Sequence, residues 1–213
     1  MTTLIFIRHG ETEWNRSGRW QGHADVPLSD EGREQARRLA GRLKSEGGTF
    51  DGIYASDLGR ALETAQILAQ DLGLEVHPLV ELREIHLGAW SGLTSDEIRT
   101  RFPEEWELAE RGHDFRRGGH GESLADFRAR IVRAVEHLVE THPDQRLLVA
   151  THGGAIRAML YYVGEIIGQR QVGHIENTSL TEVVFEDGVP RIVRANDITH
   201  LGPTTKSGIS APA

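Results

Sequence analysis

The stretch Ile5 to Asn15 reads I-F-I-R-H-G-E-T-E-W-N, so the apolar run Leu4 to Ile7 leads directly into Arg8, His9 and a glycine. A second apolar run, Leu147 to Ala150, passes through a threonine to His152, again with glycine behind it, in L-L-V-A-T-H-G-G. A third segment, Y-A-S-D-L-G-R-A-L-E-T-A from Tyr54, sets Arg60 at the start of a helix-forming stretch. Guanidinium groups and a helix N-terminus are suited to holding an anion, and an imidazole can serve there as nucleophile, base or donor. Glycine after each histidine lets backbone approach a ligand closely. Each piece alone also has an ordinary reading. A histidine after a strand commonly bonds to backbone, and Arg60 can pair on the surface with Glu63 or Glu84. The two histidines can also be read as metal ligands, but no third ligand stands at a usual spacing: H-E-x-x-H and cysteine are absent, and His137 and His142 do not share a helix face. No metal and no cofactor are expected.

What positions these groups is legible in the periodicity. Leu4 to Ile7 is a continuous apolar run, the mark of a strand buried on both faces. Ser29 is an N-cap candidate, Asp30 and Glu31 suit a first turn, and Ala36, Leu39, Ala40 and Leu43 form one stripe that Gly47 and Gly48 end. Gly52 to Ala55 reads as a strand, and a helix from about Leu58 follows with Ala61, Ala65, Leu68 and Leu72 on one face. Ser123 caps a third helix with Leu124, Phe127, Ile131, Val135 and Leu138 inward; Arg128, Arg130, Arg133, Glu136 and Glu140 form its solvated side. Leu147 to Ala150 is another strand, with a short helix from Gly153 through Met159. Thr181 to Phe185 and Ile192 to Ala195 flank the D-G turn of a hairpin.

Alternating strands and helices imply an α/β three-layer sandwich, with a largely parallel central sheet, helices on both faces and an inserted cap-like segment. One domain is expected over residues 1–201, with the insertion at about 94–121 over the site and a flexible tail at 202–213. In such sheets ligands sit outside the carboxyl ends of the strands, where Arg8, His9, Arg60 and His152 would meet. His113 and His120, in the glycine-rich part of the insertion, read as exposed loop residues, with a role over the site as the alternative.

With 32 acidic against 24 basic residues and a net charge of -8, the chain is not built to hold nucleic acid or an anionic membrane. It has no cysteine, and the N-terminal apolar run is too short for a signal peptide or a span. A cytoplasmic protein with a small-molecule partner is expected, and homodimerisation stays open.

R-H-G-E-T at Arg8 to Thr12, with Trp14 and Asn15, resembles the signature of the histidine phosphatase superfamily, which includes phosphoglycerate mutases and phosphatases of small phosphate esters. The family's other blocks are matched in order by S-D-L-G-R-A-L-E-T-A at Ser56, L-R-E-I-H-L-G-A-W-S-G at Leu82, G-G-H-G-E-S at Gly118 and T-H-G-G at Thr151. The resemblance implies that His9 is the nucleophile, carrying the phosphoryl group as phosphohistidine, and that nearby guanidiniums keep it unprotonated. It implies that Arg8, Arg60 and His152 hold the phosphoryl oxygens and that Glu84 is the proton donor. Asn15, Gln21, Gly22 and Gly153 complete the expected substrate contacts; Glu11 and Glu13 would be supporting or exposed. Trp20, Phe102, Trp106, Phe115, Arg116 and Arg117 are candidates for a leaving-group pocket, the aromatics equally for a small core of the insertion, the arginines equally for exposed loop charges.

Mutases of this family carry E-R-x-Y-G where this chain has E-I-H-L-G, with Ile85 and Leu87 in place of arginine and tyrosine. The match is closer to the broad-specificity and ribazole-phosphate-type phosphatases. Metal-independent phosphomonoester hydrolysis is therefore expected, with cofactor-dependent phosphoglycerate mutation as the alternative and a non-catalytic phosphate-binding or regulatory role behind it.

Overall fold

In the computed structural model, residues 1–168 and 173–202 are described; beyond Gly202, the tail expected at 202–213 lies outside them. The chain runs β1 (Thr2–Arg8), α1 (Glu13–Arg16), α2 (Asp30–Ser45), β2 (Gly52–Ala55), α3 (Gly59–Leu72), β3 (Val76–Pro78), α4 (Ser95–Arg101), α5 (Pro103–Glu110), α6 (Leu124–Thr141), β4 (Arg146–Thr151), α7 (Gly153–Ile167), β5 (Leu180–Glu186) and β6 (Val189–Asp197). The six strands form one sheet in the order β3-β2-β4-β1-β5-β6. β1, β2, β3 and β4 pair in parallel, and β5 runs against both β1 and β6. The hairpin turn takes left-handed backbone at Asp187 (φ 49) and Gly188 (φ 80), as a two-residue turn between twisted strands requires.

The run Leu4 to Ile7 is buried throughout because both faces of the sheet are covered. Ile5 and Ile7 join Ile53, Ala55, Leu148 and Ala150 beneath Leu39, Leu43, Ala65 and Leu68 of α2 and α3. Leu4 and Phe6 face the other way, with Leu147 and Val149, against Phe127, Ile131, Val135, Ile156 and Met159 of α6 and α7. This is the α/β sandwich expected from the alternation of elements. Ser29 and Ser123 cap α2 and α6 by accepting the Gly32 and Asp126 amides.

α7 extends to Ile167 rather than ending near Met159. Leu160 and Val163 continue its buried stripe, and Gly168 (φ 69) supplies the left-handed stop. The insertion carries α4 and α5. Thr94 and Glu97 form a capping box at the start of α4, and Pro103 opens α5.

Candidate active site

β1 and β4 are parallel neighbours in the register Arg8↔Thr151, so His9 and His152 leave the sheet side by side. The His9 amide donates to the Thr151 carbonyl at 2.9 Å, and the two imidazole centroids lie 5.2 Å apart with planes at 60°. β2 pairs with the other side of β4, and the Ser56 amide donates to Ala150 O at 2.9 Å. From there the chain turns into α3, with Arg60 in its first turn. Three strand ends thus deliver two imidazoles and two guanidiniums to one edge, although they are far apart in sequence.

His9 Nδ1 lies 2.7 Å from the Gly10 carbonyl, which can only accept, so Nδ1 carries the hydrogen. Nε2 keeps its lone pair and accepts from Arg60 Nε at 3.3 Å. Burial is the main reason the His9 imidazole is held well below its ordinary pKa; Arg60 and Arg8 add to it, and the Gly10 bond opposes. His152 is lowered in the same way by burial, Arg60, His9 and Arg8. Both rings are therefore neutral near pH 7. His152 Nε2 meets Ser56 Oγ at 2.8 Å, while its buried Nδ1 has no partner among the described residues.

Arg60 is 1% exposed, with NH2 donating to Gly22 O and NH1 to Ala24 O, each at 2.8 Å. Arg8 is half-buried and donates to Ile175 O at 2.5 Å, and its buried Nε is unpaired among the described residues. Burial pushes both guanidiniums down to about 10, against the opposing pull of Glu84, so both stay cationic at neutral pH. Among the described residues, neither has a carboxylate as a hydrogen-bond partner. Two cations and two unpartnered buried ring and guanidine nitrogens around a neutral imidazole suit a phosphoryl group.

Glu84 lies on the α7 side of the same edge. Its Oε1 accepts from Ile85 N and its Oε2 from Gly154 N, each at 2.9 Å. A methyl group on Gly154 would stand 2.1 Å from Oε1, whereas one on Gly153 would reach Arg8 Nε only at 3.5 Å. The paired glycines after His152 thus admit the acid and the guanidinium next to each other.

The remaining candidates divide. The Asn15 Oδ1 is committed to Thr12 N at 3.0 Å, leaving its amide nitrogen as the donor end. Gln21 is 8% exposed with Oε1 unpartnered among the described residues, and Gly22 holds Arg60 through its carbonyl. Trp20, Trp106 and Phe115 instead gather round Trp90, at centroid distances of 6.2, 6.4 and 5.9 Å, and Phe102 packs against the same core. Arg117 stacks 4.8 Å over Phe115, and Arg116 pairs with Asp126 at 3.2 Å. These side chains pack and pair with one another and with Trp90 and Asp126, and among the described residues none of them hydrogen-bonds to His9, Arg60, His152 or Glu84.

Other residues at the site carried no signal in the local pattern. Asn177 Nδ2 donates to His9 O, and Thr178 N to Arg8 O, each at 2.9 Å, strapping the Arg8–His9 backbone from the segment before β5. Arg130 does not belong to a solvated face. It donates to the carbonyls of Glu81, Arg83 and Glu84 at 2.7, 2.9 and 3.1 Å, and to both Glu122 oxygens at 2.8 and 2.7 Å. Glu122 Oε2 in turn accepts the His86 amide at 2.8 Å. On α6 this position faces the 81–86 segment, so the guanidinium fixes the backbone that carries Glu84. Arg130→Met keeps the length and removes the donors. It should lower kcat for alkyl phosphates by on the order of 10- to 100-fold, the scale of a misplaced catalytic group, with a smaller loss on aryl phosphates whose leaving group needs no proton. Equal losses on both would show that Arg130 does not act through Glu84.

The profile of the histidine phosphatase superfamily, branch 1, matches residues 4–198. Phosphoglycerate mutase-like protein 4 of Arabidopsis thaliana is 39% identical over 204 residues, covering 94% of this chain and 87% of its own length. Phosphoserine phosphatase 1 of Hydrogenobacter thermophilus is 34% identical over 204 residues, covering 95% of each. The solved structure of Bacillus stearothermophilus YhfR superposes with a TM-score of 0.83 at 32% identity, over 94% of this chain and 100% of that one. The chain belongs to the histidine phosphatase superfamily.

Proposed function

We propose that the protein is a metal-independent phosphomonoesterase that hydrolyses small phosphate esters through a phosphohistidine at His9. The observation that carries this reading is the His9 ring itself: Nδ1 is tied to Gly10 O, and Nε2 is unprotonated beside two guanidiniums. Nε2 attacks phosphorus as the ester P–O bond breaks. Arg8, Arg60 and His152 Nδ1 stabilise the charge spread over the phosphoryl oxygens. The departing alkoxide takes a proton from Glu84. The same carboxylate, ionised again, draws a proton from a water that attacks phosphorus and releases His9 and phosphate. The insertion at about 94–121 would cap the site: the glutamate block is tied to it by Ala89 N donating to Gly118 O at 3.2 Å and, just past its end, by Glu122 N donating to His86 O at 2.8 Å. No helix of the described residues is long and apolar enough to cross a membrane, and action in the cytoplasm belongs to the proposal.

A mutase reading is kept open by the Arabidopsis relative's name, but the two positions of the glutamate block that differ from mutases are buried: Ile85 is 9% and Leu87 2% exposed. Neither can offer a second phosphate the polar contacts that arginine and tyrosine would. Phosphorus NMR of 3-phosphoglycerate with a trace of its bisphosphate, and separately of an aryl phosphate, both in excess chelator, tests the choice. Free phosphate without isomerised glycerate is expected. Isomer appearing faster than phosphate would make the protein a mutase, and activity lost to the chelator would overturn metal independence.

A further inference from the structure

His9 and His152 are neutral neighbours, yet the proposed chemistry asks opposite things of them: a bare nitrogen on His9 and an N–H on His152. The His9 tautomer is set by a carbonyl, which can only accept. No carbonyl bonds the His152 ring among the described residues. Its Nε2 meets the Ser56 hydroxyl at 2.8 Å, and a hydroxyl can donate or accept, so the tautomer depends on what else that hydroxyl does.

Ser56 and His152 are each 0% exposed. Ser56 Oγ accepts the Leu58 amide at 3.3 Å, and among the described residues its own hydrogen has no acceptor other than His152 Nε2. If Nε2 carried the ring hydrogen, the buried hydroxyl would face two donors and have nowhere to place its own, and a buried donor left unmade is costly. The hydroxyl therefore donates, Nε2 accepts, and Nδ1 keeps the one hydrogen of the neutral ring. That Nδ1 is the buried ring nitrogen without a partner among the described residues. The ring is not spent on its own helix either: His152 is the N-cap of α7 but makes no side-chain cap bond. Backbone holds the pair in place, with Ser56 N donating to Ala150 O at 2.9 Å and Ile156 N to His152 O at 3.0 Å.

We propose that Ser56 is a positioning residue that holds His152 in the Nδ1–H tautomer, so that the ring meets a phosphoryl oxygen as a neutral donor. This rests on the phosphomonoesterase reading and adds to it the group that sets the donor. Ser56 acts through the ring and needs no contact with substrate. Arg60, four residues on, meets His9 Nε2 at 3.3 Å. The junction of β2 and α3 thus fixes the hydrogen of one imidazole and faces the lone pair of the other.

The test is NMR of protein carrying ring-nitrogen-labelled histidine, in which protonated and bare ring nitrogens are well separated in chemical shift; the His152 signals are assigned by their loss in His152→Ala. Wild type should carry the hydrogen on Nδ1, and inorganic phosphate should shift that nitrogen. Ser56→Ala should populate the Nε2–H form and lower kcat for an aryl phosphate by about 10- to 100-fold, the scale of a misplaced group. In a His152→Ala background the same substitution should cost less than about threefold, since partners in one hydrogen bond are not additive. A hydrogen on Nε2 in wild type overturns the proposal. So does an unchanged tautomer in Ser56→Ala, or an equal kcat loss with and without His152, which would mark a purely structural hydroxyl. If wild type hydrolyses no ester, the phosphomonoesterase reading falls and the spectra alone decide the positioning: a phosphate shift at Nδ1 that Ser56→Ala removes supports it, and a shift that is absent or survives in the variant overturns it.

Discussion

His9→Ala should lower turnover by about five to six orders of magnitude, the scale reached when a covalent nucleophile is removed, while phosphate or vanadate still binds. The proposed oxyanion ligands Arg8, Arg60 and His152 remain in that variant, so loss of chemistry without loss of the anion site is the expected separation. It is read by single-turnover phosphate release together with vanadate titration, and wild-type-like turnover would remove the nucleophile assignment. Acid stability gives a second readout. In the unfolded chain His9 takes up a proton near its ordinary pKa of about 6.5, whereas the native site keeps it neutral well below that. The unfolded state therefore binds more protons as pH falls through that value, and native stability, full above it, declines. Removing His9 leaves His152 as the other buried neutral imidazole of the site. The decline of Tm between pH 7 and 5 should be shallower in the variant than in wild type, and an identical decline would mean that His9 does not titrate as its surroundings dictate.

Arg60→Ala should reduce kcat/KM by about two to three orders of magnitude, as deletion of one preorganised donor does. The guanidinium bonds His9 Nε2, the proposed attacking nitrogen, so kcat and anion affinity should both fall. It also holds Gly22 O and Ala24 O; Ala24 O keeps the Val26 amide, but the buried Gly22 carbonyl loses its donor, at a cost of about 1–3 kcal/mol. The measurement is therefore made below the variant's own Tm. Since Arg60 is second only to burial in lowering the His9 pKa, the acid limb of the kcat/KM profile should move upward in pH. A purely structural role would leave that limb in place. A loss smaller than about threefold, with an unmoved acid limb, would put Arg60 outside the reaction.

Much of this site is legible locally, because the features that announce it are short-range. An apolar run that stops on a histidine and a glycine marks a strand end, which is how His9 and His152 stand out. Arg60 follows a strand and opens a helix. Glu84 is different: nothing in its own neighbourhood distinguishes a catalytic acid from a surface carboxylate, and it is named by the resemblance of the block around it. The buried stripes of α2, α3 and α6 were likewise readable from their 3.6-residue period, whereas the two short helices of the insertion, amid mixed polarity, were not.

Periodicity says that a residue is turned inward but not what it meets there. Arg130 lies among charged neighbours on α6 and reads as solvated, yet packing turns it onto the 81–86 backbone, where three carbonyls need a donor. The aromatics of the insertion could equally line a pocket or fill a core, and the sequence does not say that Trp106 and Phe115 converge on Trp90. Asn177 reaches the His9 carbonyl across 168 positions of chain, a contact no window of sequence contains. The sequence by itself thus determined the strand ends, the caps, the buried stripes and, through its motifs, the family and the histidines and arginines proposed for the chemistry. Only the tertiary structure decided the Arg8↔Thr151 register that sets His9 against His152, the seat of Glu84 on Gly154 and the meeting of His152 with Ser56. The physical reason is that burial is encoded in the spacing of apolar residues along the chain, whereas a polar group's partner is chosen by which elements packing brings within hydrogen-bond reach.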